Sequence, residues 1–152
     1  MTGVRRLLRR LILTRGAPRR REVVAAVPVR PCATGGLEVL LVRTSDGTRW
    51  TFPKGGREAG ETLAEAAARE AAEESGATGR VDGEPLGAYR YRGDSVVAFL
   101  LEVDDTRRPD EPWRQPTWFG VDVARSRLAE GRDGADGEGL DRVLLAAERA
   151  VS

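Results

Sequence analysis

Glu70, Glu73 and Glu74 stand at i, i+3 and i+4. On a helix that spacing puts three carboxylates on one face, where like charges repel. A divalent cation among them would remove the repulsion; a solvated acidic face is the plainer alternative. The segment in front favours the first. Gly55-Gly56-Arg57-Glu58-Ala59-Gly60-Glu61 brings a glycine-rich turn to the start of the same helix. Backbone N–H groups and a helix N-terminus can face phosphate oxygens there, and Lys54 adds a positive charge beside them. Phosphates, metal and carboxylates then form one assembly suited to pyrophosphate chemistry. A bound cation bridges phosphate oxygens, offsets their charge and activates a water.

Composition narrows the metal. The 152 residues contain no histidine and one cysteine, Cys32. That excludes His general bases, His or thiolate zinc sites and an intrachain disulfide. Oxygen ligands remain, which points to Mg²⁺ or Mn²⁺. A reducing compartment fits, and the expected location is the cytoplasm. No apolar run approaches the roughly 18 to 20 residues needed to cross a bilayer.

The net charge of +1 hides an asymmetry. Residues 1–21 hold eight arginines and no acid, so an acidic body follows a basic arm. Val4, Leu7, Leu8, Leu11 and Ile12 keep helical spacing, with arginines on the other face. The arm reads as an amphipathic helix docked on the domain or a frayed tail, with a nucleic-acid contact as the alternative. Lys54 is the one lysine beside 24 arginines.

The elements that must position these groups follow from local pattern. Val23–Val29 and Leu37–Val42 read as strands, Trp50–Pro53 as an extended segment and 54–60 as a loop. Thr62 with Glu65 forms a capping box ahead of an alanine-rich helix that Gly76 stops. Leu86–Tyr91 and Val96–Val103 read as strands joined by a hairpin at 92–95. Residues 107–116 read as an irregular loop, Trp118–Val121 as a short strand and Val123–Leu128 as a helical turn or two. The glycine-rich 131–139 stretch reads as a loop and Leu140–Ala150 as a closing helix. The expectation is a single α+β domain over 22–152, with a mixed sheet.

At this point the sequence resembles the Nudix hydrolases. Their signature, G-x5-E-x7-R-E-U-x-E-E-x-G-U, is met at its seven fixed positions by Gly55, Glu61, Arg69, Glu70, Glu73, Glu74 and Gly76. The bulky aliphatic U positions hold the smaller Ala71 and Ala77. The resemblance implies an α/β/α sandwich and hydrolysis of a nucleoside diphosphate linked to another group. It implies that Glu70, Glu73 and Glu74 hold the metal, with Glu61 bracing the loop or reaching the metal through water. It implies that Glu70 acts as, or helps, the general base and that Arg69 orients a glutamate. In some members the base comes from a later loop; Glu111 is the favoured candidate, with Asp110, Asp105 and Asp104 behind it.

Trp50-Thr51-Phe52-Pro53-Lys54-Gly55 and Trp118-Phe119 followed by Ala124 resemble segments of the dinucleoside polyphosphate and diphosphoinositol polyphosphate hydrolases. By that likeness Lys54, Gly55 and Gly56 contact phosphate, Arg43 meets a distal phosphate, and Tyr89, Tyr91, Trp113 or Phe119 stacks on a base. The implied partner is a small phosphoanhydride, and the implied state a monomer or homodimer. The alternatives are an oxidised-nucleotide sanitising hydrolase and a non-catalytic nucleotide-binding module. An ADP-ribose pyrophosphatase would carry a longer N-terminal region. An RNA 5′-pyrophosphohydrolase, which the basic arm would suit, typically has Gln where Lys54 stands.

Overall fold

The computed structural model of the chain describes residues 22–152. The expected arm, 1–21, lies outside the described residues. Among those described there are seven strands: β1 (Val23–Pro31), β2 (Leu37–Arg43), β3 (Trp50–Thr51), β4 (Lys54–Gly56), β5 (Ala77–Tyr91), β6 (Asp94–Thr106) and β7 (Thr117–Gly120). Three helices accompany them: α1 (Leu63–Ser75), α2 (Val121–Ala129) and α3 (Gly134–Val151). A single 3₁₀ turn covers Pro112–Arg114.

The strands form one mixed sheet in the order β3-β2-β1-β6-β5, with β4 on β1 and β7 on β2. Only β1 and β6 run parallel, with Val23 opposite Val96 and Val29 opposite Glu102. A central strand is covered on both faces, so it reads as an unbroken apolar run. Val23 to Val29 is such a run, buried throughout. Successive side chains alternate between faces. Val23, Ala25, Val27 and Val29 join a core with Leu140, Val143, Leu144 and Ala147 of α3 and Ala124 and Leu128 of α2. Val24 and Ala26 join a second core with Ala66, Ala67 and Ala71 of α1. Helices thus cover both faces, giving the α/β/α sandwich. The small Ala71 and Ala77 are fully buried in the second core.

Three segments differ from the sequence reading. Lys54–Gly56 is not loop but strand β4, with Gly55 opposite Val24. β1 offers a pairing edge there that outweighs the weak strand propensity of glycine. β5 begins at Ala77, nine residues before the expected Leu86, and register shifts beside Gly79, Pro85 and Gly87 absorb the breakers. The 131–139 stretch is largely the first turns of α3, capped by the Asp133 carboxylate accepting from Asp136 N–H. Its Gly139 lies so close to Tyr89 that an added Cβ would sit 3.0 Å from the Tyr89 Cβ. The β5–β6 hairpin turns on Arg92 and Gly93, both at positive φ.

Candidate active site

Helix α1 starts and stops as its sequence dictates. Thr62 Oγ1 accepts from Glu65 N–H, and Glu65 returns the bond to Thr62 N–H. Gly76 closes the helix with a left-handed conformation, donating its N–H to the Ala72 carbonyl. The alanine face packs on the sheet, which turns Glu70, Glu73 and Glu74 toward β4. Glu70 is 1% exposed and Glu74 is 2% exposed. Buried carboxylates need partners, and each has them.

The Glu74 carboxylate accepts from the Lys54 N–H through Oε2 at 2.9 Å and faces Arg114 Nη2 at 3.4 Å through Oε1. The Glu70 carboxylate lies against Gly55, where any Cβ would overlap it. Gly55 is therefore glycine because Glu70 fills the space a side chain would need. Arg69 ties the assembly together. Its Nε and Nη2 bind both oxygens of Glu61, at 2.8 and 3.0 Å. Nη1 reaches Glu70 at 3.0 Å and Glu73 at 3.4 Å, and Nη2 also donates to the Gly56 carbonyl at 2.9 Å. Burial opposes the guanidinium charge, but the bonds to Glu61 and Glu70 win and hold its pKa above the ordinary value. Glu61 in turn accepts from Glu58 N–H, which folds the 57–61 loop back on itself.

Lys54 sits with Nζ 3.8 Å from the centroid of the Tyr91 ring. Burial pulls its pKa down to about 8, opposed by Glu74 and aided by Arg114, Arg132 and Arg92. Arg43, expected at a distal phosphate, lays its guanidinium on the Trp50 ring at 4.0 Å. Its carbonyl accepts from Arg114 Nη1 at 3.2 Å.

The 3₁₀ turn brings Glu111 to the same place. Its N–H donates to the Glu73 carbonyl at 3.2 Å, and its carboxylate accepts from Arg114 Nε and Nη2, both at 3.3 Å. Arg114, 6% exposed, therefore bridges the later loop to Glu74. Asp104, Asp105 and Asp110 are exposed on the segment leading there. Arg114 is the residue that sequence reasoning missed. Its one local signal is the i+3 spacing from Glu111; its partners on β2 and α1 are distant in sequence.

Every candidate metal donor here is a carboxylate oxygen, which suits a hard divalent cation. Two of the three helix carboxylates, Glu70 and Glu74, are buried beside β4. Among the described residues no three His, Cys, Asp or Glu side chains form a ready metal-binding group. Glu70, Glu73 and Glu74 here face the guanidinium groups of Arg69 and Arg114.

A mixed sheet lies between helices, with an acid-lined loop and helix on one side. The NUDIX domain model matches residues 19–138. Nudix hydrolase 4 of Arabidopsis thaliana is 37% identical over 120 residues, which cover 69% of this chain and 58% of that protein. Nudix hydrolase 18, mitochondrial, from the same plant is 34% identical, with 70% and 68% covered. The crystal structure of a C. elegans Ap4A hydrolase superposes with a TM-score of 0.66 at 24% identity, covering 88% of this chain and all of that one. The chain belongs to the Nudix hydrolase family. It spans a little over half the length of the first of these relatives. Among the described residues no helix is long and apolar enough to cross a membrane.

Proposed function

We propose that the protein is a divalent-metal-dependent pyrophosphohydrolase acting on nucleoside polyphosphates, with dinucleoside polyphosphates favoured. The observation that carries the reading is the burial of Glu70 and Glu74 beside Glu73, under the Arg69 clamp, at the edge where Lys54 stands. Three acids crowded on one helix face repel each other, and a bound cation would offset that repulsion beyond what Arg69 and Arg114 already do. The Trp50-to-Gly55 and Trp118-Phe119 segments, and the likeness to a structure called an Ap4A hydrolase, support the dinucleoside choice.

In this reading Glu70, Glu73 and Glu74, with Glu61 behind them, hold Mg²⁺ or Mn²⁺, which supplies Lewis acidity at the phosphate oxygens. Lys54 binds phosphate as a compact ammonium, charged below about pH 8. A water attacks one phosphorus, and the bond to the bridging oxygen breaks. Glu70, or Glu111 from the later loop, takes the proton of that water. Arg69 and Arg114 keep these carboxylates oriented. The enzyme works in the cytoplasm as a monomer or homodimer.

The test is product release with Mg²⁺, then with EDTA, across a panel. It holds diadenosine tetra- and pentaphosphate, 8-oxo-dGTP, ordinary dNTPs, ADP-ribose and a diphosphoinositol phosphate. Metal-dependent turnover highest on a diadenosine polyphosphate is expected. A folded protein silent across the panel would leave a nucleotide-binding module in its place.

A further inference from the structure

The aromatic side chains expected to stack on a base stand in four different settings. Tyr89 is buried against Phe52, Phe119 meets Trp50 edge-on, Tyr91 lies beneath Lys54 Nζ, and Trp113 is exposed on the 3₁₀ turn. Arg57 carries no assignment, since it falls among the five variable positions of the signature between Gly55 and Glu61. It is nevertheless tied down at both ends. Its N–H donates to the Glu22 carbonyl at 2.9 Å, and its Nε donates to the Glu22 carboxylate. Its Nη1 donates to the Glu61 carbonyl at 3.0 Å. Glu22 adjoins Val23, which pairs with Gly56 across β1 and β4. Arg57 thus joins the sheet to the far end of the 57–61 loop.

Glu61 is held from two sides. Arg57 takes its carbonyl, and Arg69 takes both of its carboxylate oxygens. The same carboxylate accepts from Glu58 N–H at 2.9 Å. Arg69 passes the position on, because its Nη1 reaches the buried Glu70 at 3.0 Å. Gly60, just before Glu61, takes a φ of 82°. Glycine leaves the backbone many alternatives there, so a fastener beyond it has an effect. The Arg57 and Glu22 side chains are 35% and 58% exposed, and an exposed pair adds little stability. What the planar guanidinium supplies is direction, since its fork fixes two acceptors relative to each other.

We infer that Arg57 is a positioning residue: by joining Glu22 to the Glu61 carbonyl it sets where the Glu61 carboxylate stands, and through Arg69 where the Glu70 carboxylate stands. The inference rests on the proposed pyrophosphohydrolase reading for its effect on turnover alone. The seat of Glu61 is a property of the chain without metal or substrate.

The test therefore has two readouts. The first is amide exchange by NMR on the full chain in EDTA. The Glu58 N–H is bonded to the Glu61 carboxylate, so its exchange rate follows that seat. Arg57→Ala should speed it about tenfold, with the melting temperature within about 3 °C of wild type. Glu22→Gln leaves Arg57 in place and should act the same way more weakly. Unchanged Glu58 exchange in Arg57→Ala would overturn the inference. The second readout is a cycle of Arg57→Ala and Glu61→Gln on diadenosine tetraphosphate with Mg²⁺. Arg57→Ala alone should lower kcat roughly tenfold with KM little changed. On the Glu61→Gln background it should lower kcat no further. A raised KM with kcat intact would make Arg57 a phosphate contact, and additive losses would mean that it acts elsewhere; either result sinks the positioning role. If wild-type protein hydrolyses nothing in the panel, the enzymatic reading fails, and Glu58 exchange alone decides what Arg57 does.

Discussion

The two faces of the sheet are packed by opposite means. On the α2/α3 face Leu128, Leu140, Val143 and Leu144 meet Trp50, Phe52 and Tyr89, and bulk fills the space. On the α1 face the helix itself contributes the small Ala66, Ala67 and Ala71, which lie on Val24, Ala26 and Leu40, with Phe99 and Leu101 of β6 and Ala77 of β5 in the same core. Large side chains bury more apolar area per residue, so the first face carries most of the stabilisation. The second gives up bulk for closeness, and that closeness presses Glu70 against Gly55 and Glu74 against the Lys54 N–H. One face holds the fold and the other positions charge.

Removing a charge from the α1 face should therefore hurt turnover far more than stability. Glu73→Gln keeps the shape and relieves repulsion from Glu70 and Glu74. Loss of one preorganised charged group should lower kcat about 10²- to 10³-fold, with the melting temperature held or raised. Near-normal turnover with Mg²⁺ would remove Glu73 from the proposed metal set. Gly55→Ala should act in the same direction by displacing the Glu70 carboxylate.

The reverse holds across the sheet. Leu144 is fully buried on α3, and Leu144→Ala should cost about 2–5 kcal/mol. For a domain of this size that lowers the melting temperature by roughly 10 °C. At a temperature where the variant is still folded, kcat should match wild type. A large fall in kcat there would show that the two faces are not separable.

The α1 face was the more legible of the two in the sequence. Its caps, its alanine run and its glutamates all depend on neighbours within four residues. What stayed hidden was set at long range. Gly55 and Gly56 look like a loop until β1 supplies a pairing edge. Gly134, Gly137 and Gly139 look like a loop too, yet Asp133 caps a helix there and Tyr89 requires the absence of a side chain at 139. Gly79, Gly83 and Pro85 conceal the first half of β5, which pairs with β6 through register shifts. Arg114 was silent for the same reason, since its partners Arg43 and Glu74 lie 71 and 40 positions away. Spacing rules find groups that share an element; they miss a side chain that joins three.

The smallest expected effect sharpens the contrast best. Arg125 on α2 engages three carboxylates where Arg69 engages four: Asp141 at 2.6 Å, Glu148 at 2.5 Å and Asp122 at 3.3 Å. The bond to Asp141 comes first, and Glu148 adds to it, holding the Arg125 pKa above its ordinary value although burial acts against it. The side chain is 36% exposed, however, against 21% for Arg69. Water and salt screen it, so Arg125→Ala should cost less than about 1 kcal/mol, and less still at high ionic strength. Turnover should not move. Arg69→Ala loses four partners rather than three, and it leaves Glu61 and the buried Glu70 without their guanidinium. It should abolish most turnover by releasing those carboxylates from their set orientation. Equal effects of the two substitutions on kcat would mean that burial at the helix face does not decide what an arginine does in this fold.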